Sequence, residues 1–226
     1  MPESMNFKPN YKKTKGELML PRGYLSWSAM QTFKRNKEQF IRHYIYGEPH
    51  EYNSPSIDFG KTFAEDIEKR KKHADPVMDT MLRSIPKMPR AEYAMDAIIP
   101  SKYGKFKVVG KLDQFDPMSG DFDEFKTGFR KWTQNMAQEH GQMKFYAMMV
   151  YLKLGITASK KTLVWIETER RENPYTGSPE GIVLTGNVKR FTVGYTLADI
   201  LTFMDEVSDV AKEISDIYQE EINKTI

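Results

Sequence analysis

The 226-residue chain contains no cysteine, and that absence removes whole classes of chemistry. A disulfide framework, a thiolate-held zinc and an iron–sulfur cluster are all excluded, and the composition suits a reducing cytosol. Histidine is scarce, with His43, His50, His73 and His140 the only four. None is spaced as an H-E-x-x-H or similar ligand set, so zinc hydrolysis is not expected. No apolar run approaches the ~20 residues that cross a bilayer. The N-terminal stretch MPESMNFKPNYKKTKG lacks the apolar centre of a signal peptide. The expectation is a soluble, intracellular protein without a membrane partner. No internal repeat and no G-x-x-x-x-G-K-[ST] phosphate loop is present, so the chain carries no visible nucleotide-driven motor. A dominant charge is lacking too. Lys and Arg total 34 against 31 acidic residues, for a net charge of +3, and the two signs are interleaved rather than segregated. Charge alone therefore does not identify a nucleic-acid partner.

What the chain does have is a dense hairpin signal, GKLDQFDPMSGDFDEFKTG, from Gly110 to Gly128. Two strand-like runs flank Asp116-Pro117-Met118-Ser119-Gly120, which is turn chemistry. A turn symmetric about Met118 and Ser119 pairs Asp116 with Asp121 and sets Asp113 opposite Glu124. Side chains alternate along a strand, so Glu124 and Lys126 share a face with Asp113 while Phe125 points the other way. Two carboxylates facing each other repel. Either Lys126 or a divalent cation must compensate, and carboxylate oxygens at this spacing suit a hard ion such as Mg²⁺.

Around this hairpin the chain orders itself. Residues 1–23 read as an extended, Lys-rich arm, and residues 24–226 as a single domain of ample size for a core. Ser28 with Gln31 forms a capping box that predicts a helix from about Ala29, its apolar stripe running through Met30, Phe33, Phe40, Ile41, Tyr44 and Ile45 to a stop at Gly47. Lys34 and Arg35 lie on its polar surface. Phe59, Phe63 and Ile67 predict a second amphipathic helix, followed by a proline-rich connector with a short helix near residues 77–85. Strands are predicted at about 91–99, 105–116 and 121–127, then a helix over 133–154 that carries Gln142 and Tyr146 one turn apart. Thr162 to Glu169 reads as a strand after a crossover, free to pair in parallel. RRENPYTGSPEG reads as a solvent-exposed excursion, GIVLTGNVKRFTVG as one or two strands, and Leu197 to Ile226 as an amphipathic helix. The order ααβββαβ(β)α predicts an α/β domain with helices on both faces of a mixed sheet.

The ordered series Asp113, Glu124-Phe125-Lys126, Thr127-Gly128, then Gln142 and Tyr146 on a helix, resembles the PD-(D/E)xK nuclease superfamily. Its nearest likeness is to the RecB-like branch, which includes phage and CRISPR-associated exonucleases, here without their cysteine-held cluster. The resemblance spans about residues 24–215. It implies a restriction-endonuclease-like core and a Mg²⁺- or Mn²⁺-dependent deoxyribonuclease, in the first instance an exonuclease acting on DNA ends. In that pattern Asp113, Glu124 and the Phe125 backbone carbonyl hold the metal, while Lys126, Gln142 and Tyr146 complete the catalytic set. The branch places a His or Glu ligand four residues after the helix glycine; here that position is Ala64, and neighbouring Glu65 is the first candidate to replace it, ahead of Glu68. DNA contacts are expected from Ser28, Lys34, Arg35, Arg130 and Lys131. The implied partners are DNA and a helicase, a single-strand annealing protein or another recombination protein, in the cytoplasm of a bacterium or a phage-infected host. The competing reading is a nuclease-fold module that binds DNA ends or a protein without cutting, and Ala64 is the feature in its favour.

Overall fold

In a computed structural model, residues 16–49, 55–69, 72, 76–172, 175–177 and 179–225 are described. Much of residues 1–23 therefore lies outside the described residues, as do His50, Arg70, Lys71 and His73. The central strands fall close to their predicted places. They are β2 (Arg90–Ile99), β3 (Phe106–Phe115) and β4 (Phe122–Gly128), with β5 (Lys161–Glu172) and β6 (Pro179–Val193) following. A two-residue β1 (Leu25–Ser26), too short to leave a pattern in the sequence, pairs in parallel with β3 at Val108 and Val109. The sheet runs β1-β3-β4-β5-β6, with β2 paired to β3. β4 and β5 are parallel, and β3–β4 and β5–β6 are antiparallel. This is a mixed α/β sheet flanked by helices, the architecture expected of a restriction-endonuclease-like core.

Two apolar clusters show that both faces of the sheet are covered. On one, α6 (Gly141–Leu154) and α7 (Leu197–Thr225) pack with α1 (Trp27–Arg35) in a large core that contains Phe33, Phe122, Phe145, Met148, Val207 and Ile214. On the other, α3 (Pro55–Lys69) and α4 (Pro76–Ser84) place Phe63, Ile67, Met81 and Leu82 against Val164 and Ile166. Phe125 joins this second cluster, so it does point away from its neighbour Glu124. α6 is buried almost all round, which its run of Met, Phe, Tyr, Ala and Val allows; each large side chain so buried contributes about 1.5–3 kcal/mol.

Several expectations are corrected. The first helix begins at Trp27, because Ser26 and not Ser28 caps it, accepting from the Ala29 N–H at 3.3 Å. It does not run on to Ile45: Asn36 is extended and its side chain caps a short α2 (Lys37–Phe40), which passes into one turn of π-helix (Ile41–Ile45). The predicted helix over 133–154 is two helices, α5 (Gln134–Gln138), capped by Thr133, and α6, with His140 extended between them. The arm also ends sooner than expected. Leu18 and Leu20 are buried, and the Leu18 N–H donates to the Lys105 carbonyl, so the chain from Gly16 belongs to the fold. GIVLTGNVKRFTVG is strand as expected, within the single β6, whereas the turn-rich stretch before it, expected as a loop, is largely strand, with Asn173, Pro174 and Ser178 outside the described residues.

Candidate active site

The site is built where a strand pair comes apart. The turn closes as its chemistry predicts: the Asp116 N–H donates to the Asp121 carbonyl at 2.8 Å, and the Asp116 side chain accepts from the Met118 N–H at 2.9 Å. From there β3 and β4 pair through Phe115↔Phe122 and Gln114↔Asp123, and the ladder then stops. The next rung is Asp113 opposite Glu124. β1 covers the same edge of β3 only at Val108 and Val109, so Gly110 to Asp113 face a gap between two strands. Main-chain polar groups in such a gap need other partners, and side chains supply them. The Asp113 carboxylate accepts from the Phe125 N–H at 2.6 Å, replacing the missing ladder bond. The Lys111 carbonyl accepts from the Tyr146 hydroxyl at 2.8 Å.

Tyr146 begins a continuous chain of hydrogen bonds. Its hydroxyl accepts from Gln142 Nε2 at 2.9 Å, and Gln142 Oε1 accepts from Lys126 Nζ at 2.8 Å. Lys126 also donates to Glu124 Oε1 at 2.6 Å. Gln142 and Tyr146 reach the fork because α6 lies close on β3. A Cβ on Gly110 would stand 2.8 Å from Tyr146 Cε1 and 3.0 Å from Met149 Sδ, so no larger residue fits there without displacing the ring. The structure thus brings Asp113, Glu124, Lys126, Gln142 and Tyr146 into one connected group.

The electrostatics of that group are those of an anion pair short of counter-charge. Burial, then the neighbouring Glu124 carboxylate, push Asp113 up to about 8; the Phe125 N–H and Lys126 oppose the shift without cancelling it. Burial, followed by Glu124, raises the Tyr146 phenol, so it stays protonated as a donor. Burial, helped by Lys126, lowers His140 to about 4 and leaves it neutral. Glu124 is 3% exposed, and its Oε2 is buried with no hydrogen-bond partner. A buried carboxylate oxygen without a partner is costly, and a cation beside it removes the cost. Two adjacent carboxylates suit Mg²⁺ or Mn²⁺, which take oxygen ligands and retain several waters.

A third acidic ligand is not gathered in. Glu65 is corrected as a candidate: it is exposed on α3 and pairs with Lys69 at 2.9 Å. Glu68 is exposed as well. The buried acid of α3 is Asp66, 5% exposed, and its position three residues past Phe63 on the apolar stripe was a signal the sequence offered. Among the described residues no three His, Asp or Glu side chains stand together as a metal-binding group. Another unforeseen feature lies behind the site. Asp123, fully buried, pairs with Arg190 of β6 at 2.7 Å on the face opposite Glu124. It anchors β4 across β5 to β6.

The residues expected to contact DNA lie on α1 and just past β4. Ser28 lines an open cleft of about 580 Å³ that includes Lys111, Gln142 and Tyr146. Lys34 lines a second cleft beside it. Arg35 donates to Gln39 at 3.4 Å. Arg130 and Lys131 are exposed just past the end of β4. Among the described residues no helix is long and apolar enough to cross a membrane.

No family model matches the chain, and no curated protein matches it significantly. Among solved structures, the crystal structure of SSO0001 is similar over 89% of this chain and 78% of its own, at 14% identity and a TM-score of 0.46. A likeness at that level carries no argument about function.

Proposed function

We propose that this protein is a metal-dependent deoxyribonuclease that hydrolyses phosphodiesters and acts on DNA ends. The observation that carries the reading is the fork itself. Glu124 is buried with one carboxylate oxygen unpartnered, Asp113 stands half-buried beside it, and a lysine is held against Glu124 by a glutamine. A purely structural acid pair has no need of Lys126, Gln142 and Tyr146 fixed in series.

Asp113, Glu124 and the Phe125 carbonyl would hold Mg²⁺ or Mn²⁺, which when bound supplies Lewis-acid charge at a phosphate and acidifies a water. The chain's own groups do the rest. The Lys126 ammonium, fixed between Glu124 and Gln142, presents positive charge where a phosphorane gathers negative charge. Gln142 sets the direction of that ammonium, and Tyr146, anchored on the Lys111 carbonyl, sets Gln142. Such positioning matters because a displacement of about 1 Å is enough to cost about 100-fold in rate. Phe115 and Phe122, buried just behind the fork, keep water from the back of the site.

One observation favours the second reading, a module that binds DNA without cutting: α3 offers no third carboxylate to the pair. The experiment that separates the two is direct. Linear, circular and single-stranded DNA are incubated with the protein and Mg²⁺ or Mn²⁺, with EDTA controls. Metal-dependent degradation of linear substrates is expected. Retention of DNA with no cleavage under either metal establishes the binding module instead.

A further inference from the structure

The second cleft, about 540 Å³, has no part in the chemistry just described, yet it lies against it. It is walled by α1, by Trp132 on the loop after β4, by the α5–α6 junction and by α7. Gly141, on its lining, directly precedes Gln142. Four aromatic rings line it, those of Trp27, Trp132, His140 and Phe203. His140 stands between two indoles, its ring centroid 6.5 Å from Trp27 and 5.1 Å from Trp132. Trp27 is pressed onto the first residue of α6: a Cβ on Gly141 would come within 2.2 Å of the indole. Glycine in a helix costs about 0.5–1 kcal/mol against alanine, so the contact accounts for a residue that helix propensity disfavours. Gln31 and Lys34, one and two turns beyond Trp27 on α1, stand at the mouth. Both are exposed, and Lys34 has no ion-pair partner among the described residues. Glu206 faces them from α7.

Aromatic faces, an unpaired lysine and free amide and carboxylate groups make up the chemistry that recognises an unstacked nucleotide. Bases stack on aromatic side chains whatever their sequence, a lysine takes the phosphate, and Gln31 and Glu206 meet a base edge. The volume is that of a pocket for one small ligand. A duplex, whose major groove alone is about 12 Å wide, does not enter it.

We infer that this cleft binds an unpaired nucleotide next to the phosphate to be cut, so that the enzyme works on single-stranded or frayed ends in preference to the interior of a duplex. The inference rests on the nuclease reading for the word "cut" but not for the pocket. The two are therefore tested separately.

Binding is measured with metal chelated by EDTA, using a short oligo(dT) strand and a blunt hairpin duplex as probes. Of the three tryptophans, Trp165 is 1% exposed, so quenching of fluorescence by oligo(dT) reports Trp27 and Trp132. Trp132→Ala should weaken binding of oligo(dT) by about 5- to 150-fold, and Trp132→Phe should recover most of it. The exposed Lys34→Ala, which cannot be blamed on misfolding, should weaken binding and reduce the salt slope by about 0.7. Duplex binding should change little in any variant. Oligo(dT) affinities equal to wild type in both Trp132→Ala and Lys34→Ala overturn the pocket, as does equal loss for strand and duplex. If wild type fails to cleave with Mg²⁺ or Mn²⁺ while these binding losses are seen, the pocket stands and the nuclease reading falls. Cleavage with unaltered binding does the reverse.

Discussion

The β3–β4 pair has two ends that solve the same problem differently. At the turn, the main chain satisfies itself through ladder bonds; Phe115 and Phe122 are apolar and buried on one face, and the buried Asp123 on the other is neutralised by Arg190. Two rungs later the ladder ends, and the main-chain groups are taken up by Asp113 and Tyr146. Burying Phe122 stabilises the fold. Setting Asp113 beside the buried Glu124 opposes it, since carboxylates lose water there and their charges repel, which is why Asp113 keeps its proton. The closed end thus supports an open end that is unfavourable on its own. A chain gains nothing in stability from that open end, which is the physical ground for reading it as functional.

Substitutions at the two ends should separate activity from stability. Glu124→Ala should lower cleavage of linear DNA by at least about 1,000-fold, with the melting temperature of the metal-free protein unchanged or higher. Phe122→Ala at the closed end should cost about 3–5 kcal/mol in chemical denaturation, with the surviving folded fraction still cutting. Full activity in Glu124→Ala, or a large loss of stability there, would remove the distinction.

Lys126→Ala sharpens it. Glu124 then keeps its burial and loses its cation. Because the lysine side chain is 27% exposed, the loss should be about 2–3 kcal/mol, below or at the low end of the range for a fully buried pair. Saturating Mg²⁺ or Mn²⁺ should restore much of that stability, while turnover stays lost. Equal denaturation midpoints with and without metal would count against a cation site between the carboxylates.

Gly110→Ala probes the gap from outside the charged group. The added methyl meets the Tyr146 ring at 2.8 Å, so Tyr146 must shift and Gln142 with it. Overpacking of this kind costs about 1–3 kcal/mol. The rate should fall about 10- to 100-fold with metal affinity preserved, since neither carboxylate is touched. An unchanged rate constant would show that the Gln142–Tyr146 anchor is dispensable.

The fork was legible in the sequence because its geometry is local. A turn set by Asp116 and Gly120 fixes the register, and Asp113 and Glu124 follow by counting. Gln142 and Tyr146 were legible because a helix spaces them by one turn. What was hidden depends on distant partners. The one local sign of a break at His140 is Gly141, a poor residue for the interior of a helix over 133–154; the Trp27 ring that lies on it is 114 positions away in sequence. Leu18 and Leu20 look like tail residues until the Lys105 carbonyl gives the backbone a partner. Glu65 neighbours Ala64 in sequence, but helical rotation turns it to solvent and puts Asp66 on the buried side.

The effect most specific to the open end is that of pH. Asp113 is held at about 8 in the folded, metal-free protein, against an ordinary value of about 3.9 when unfolded. Between those values the folded state binds a proton that the unfolded chain has released. By linkage, stability therefore falls as pH rises through the window from about 4 to about 8, and levels off above it. A divalent cation competes for the same oxygens, so metal binding should expel the proton and strengthen with pH up to about 8. Thermal denaturation in EDTA should show the decline in wild type and a flatter curve in Asp113→Asn, which has no proton to lose. Calorimetric titration with Mg²⁺ or Mn²⁺ should show affinity rising by at most about tenfold per pH unit below the plateau, with proton release seen as a buffer-dependent heat. Coincident stability profiles for the two proteins, with metal affinity independent of pH, would mean that Asp113 is already ionised and that the fork is not starved of positive charge.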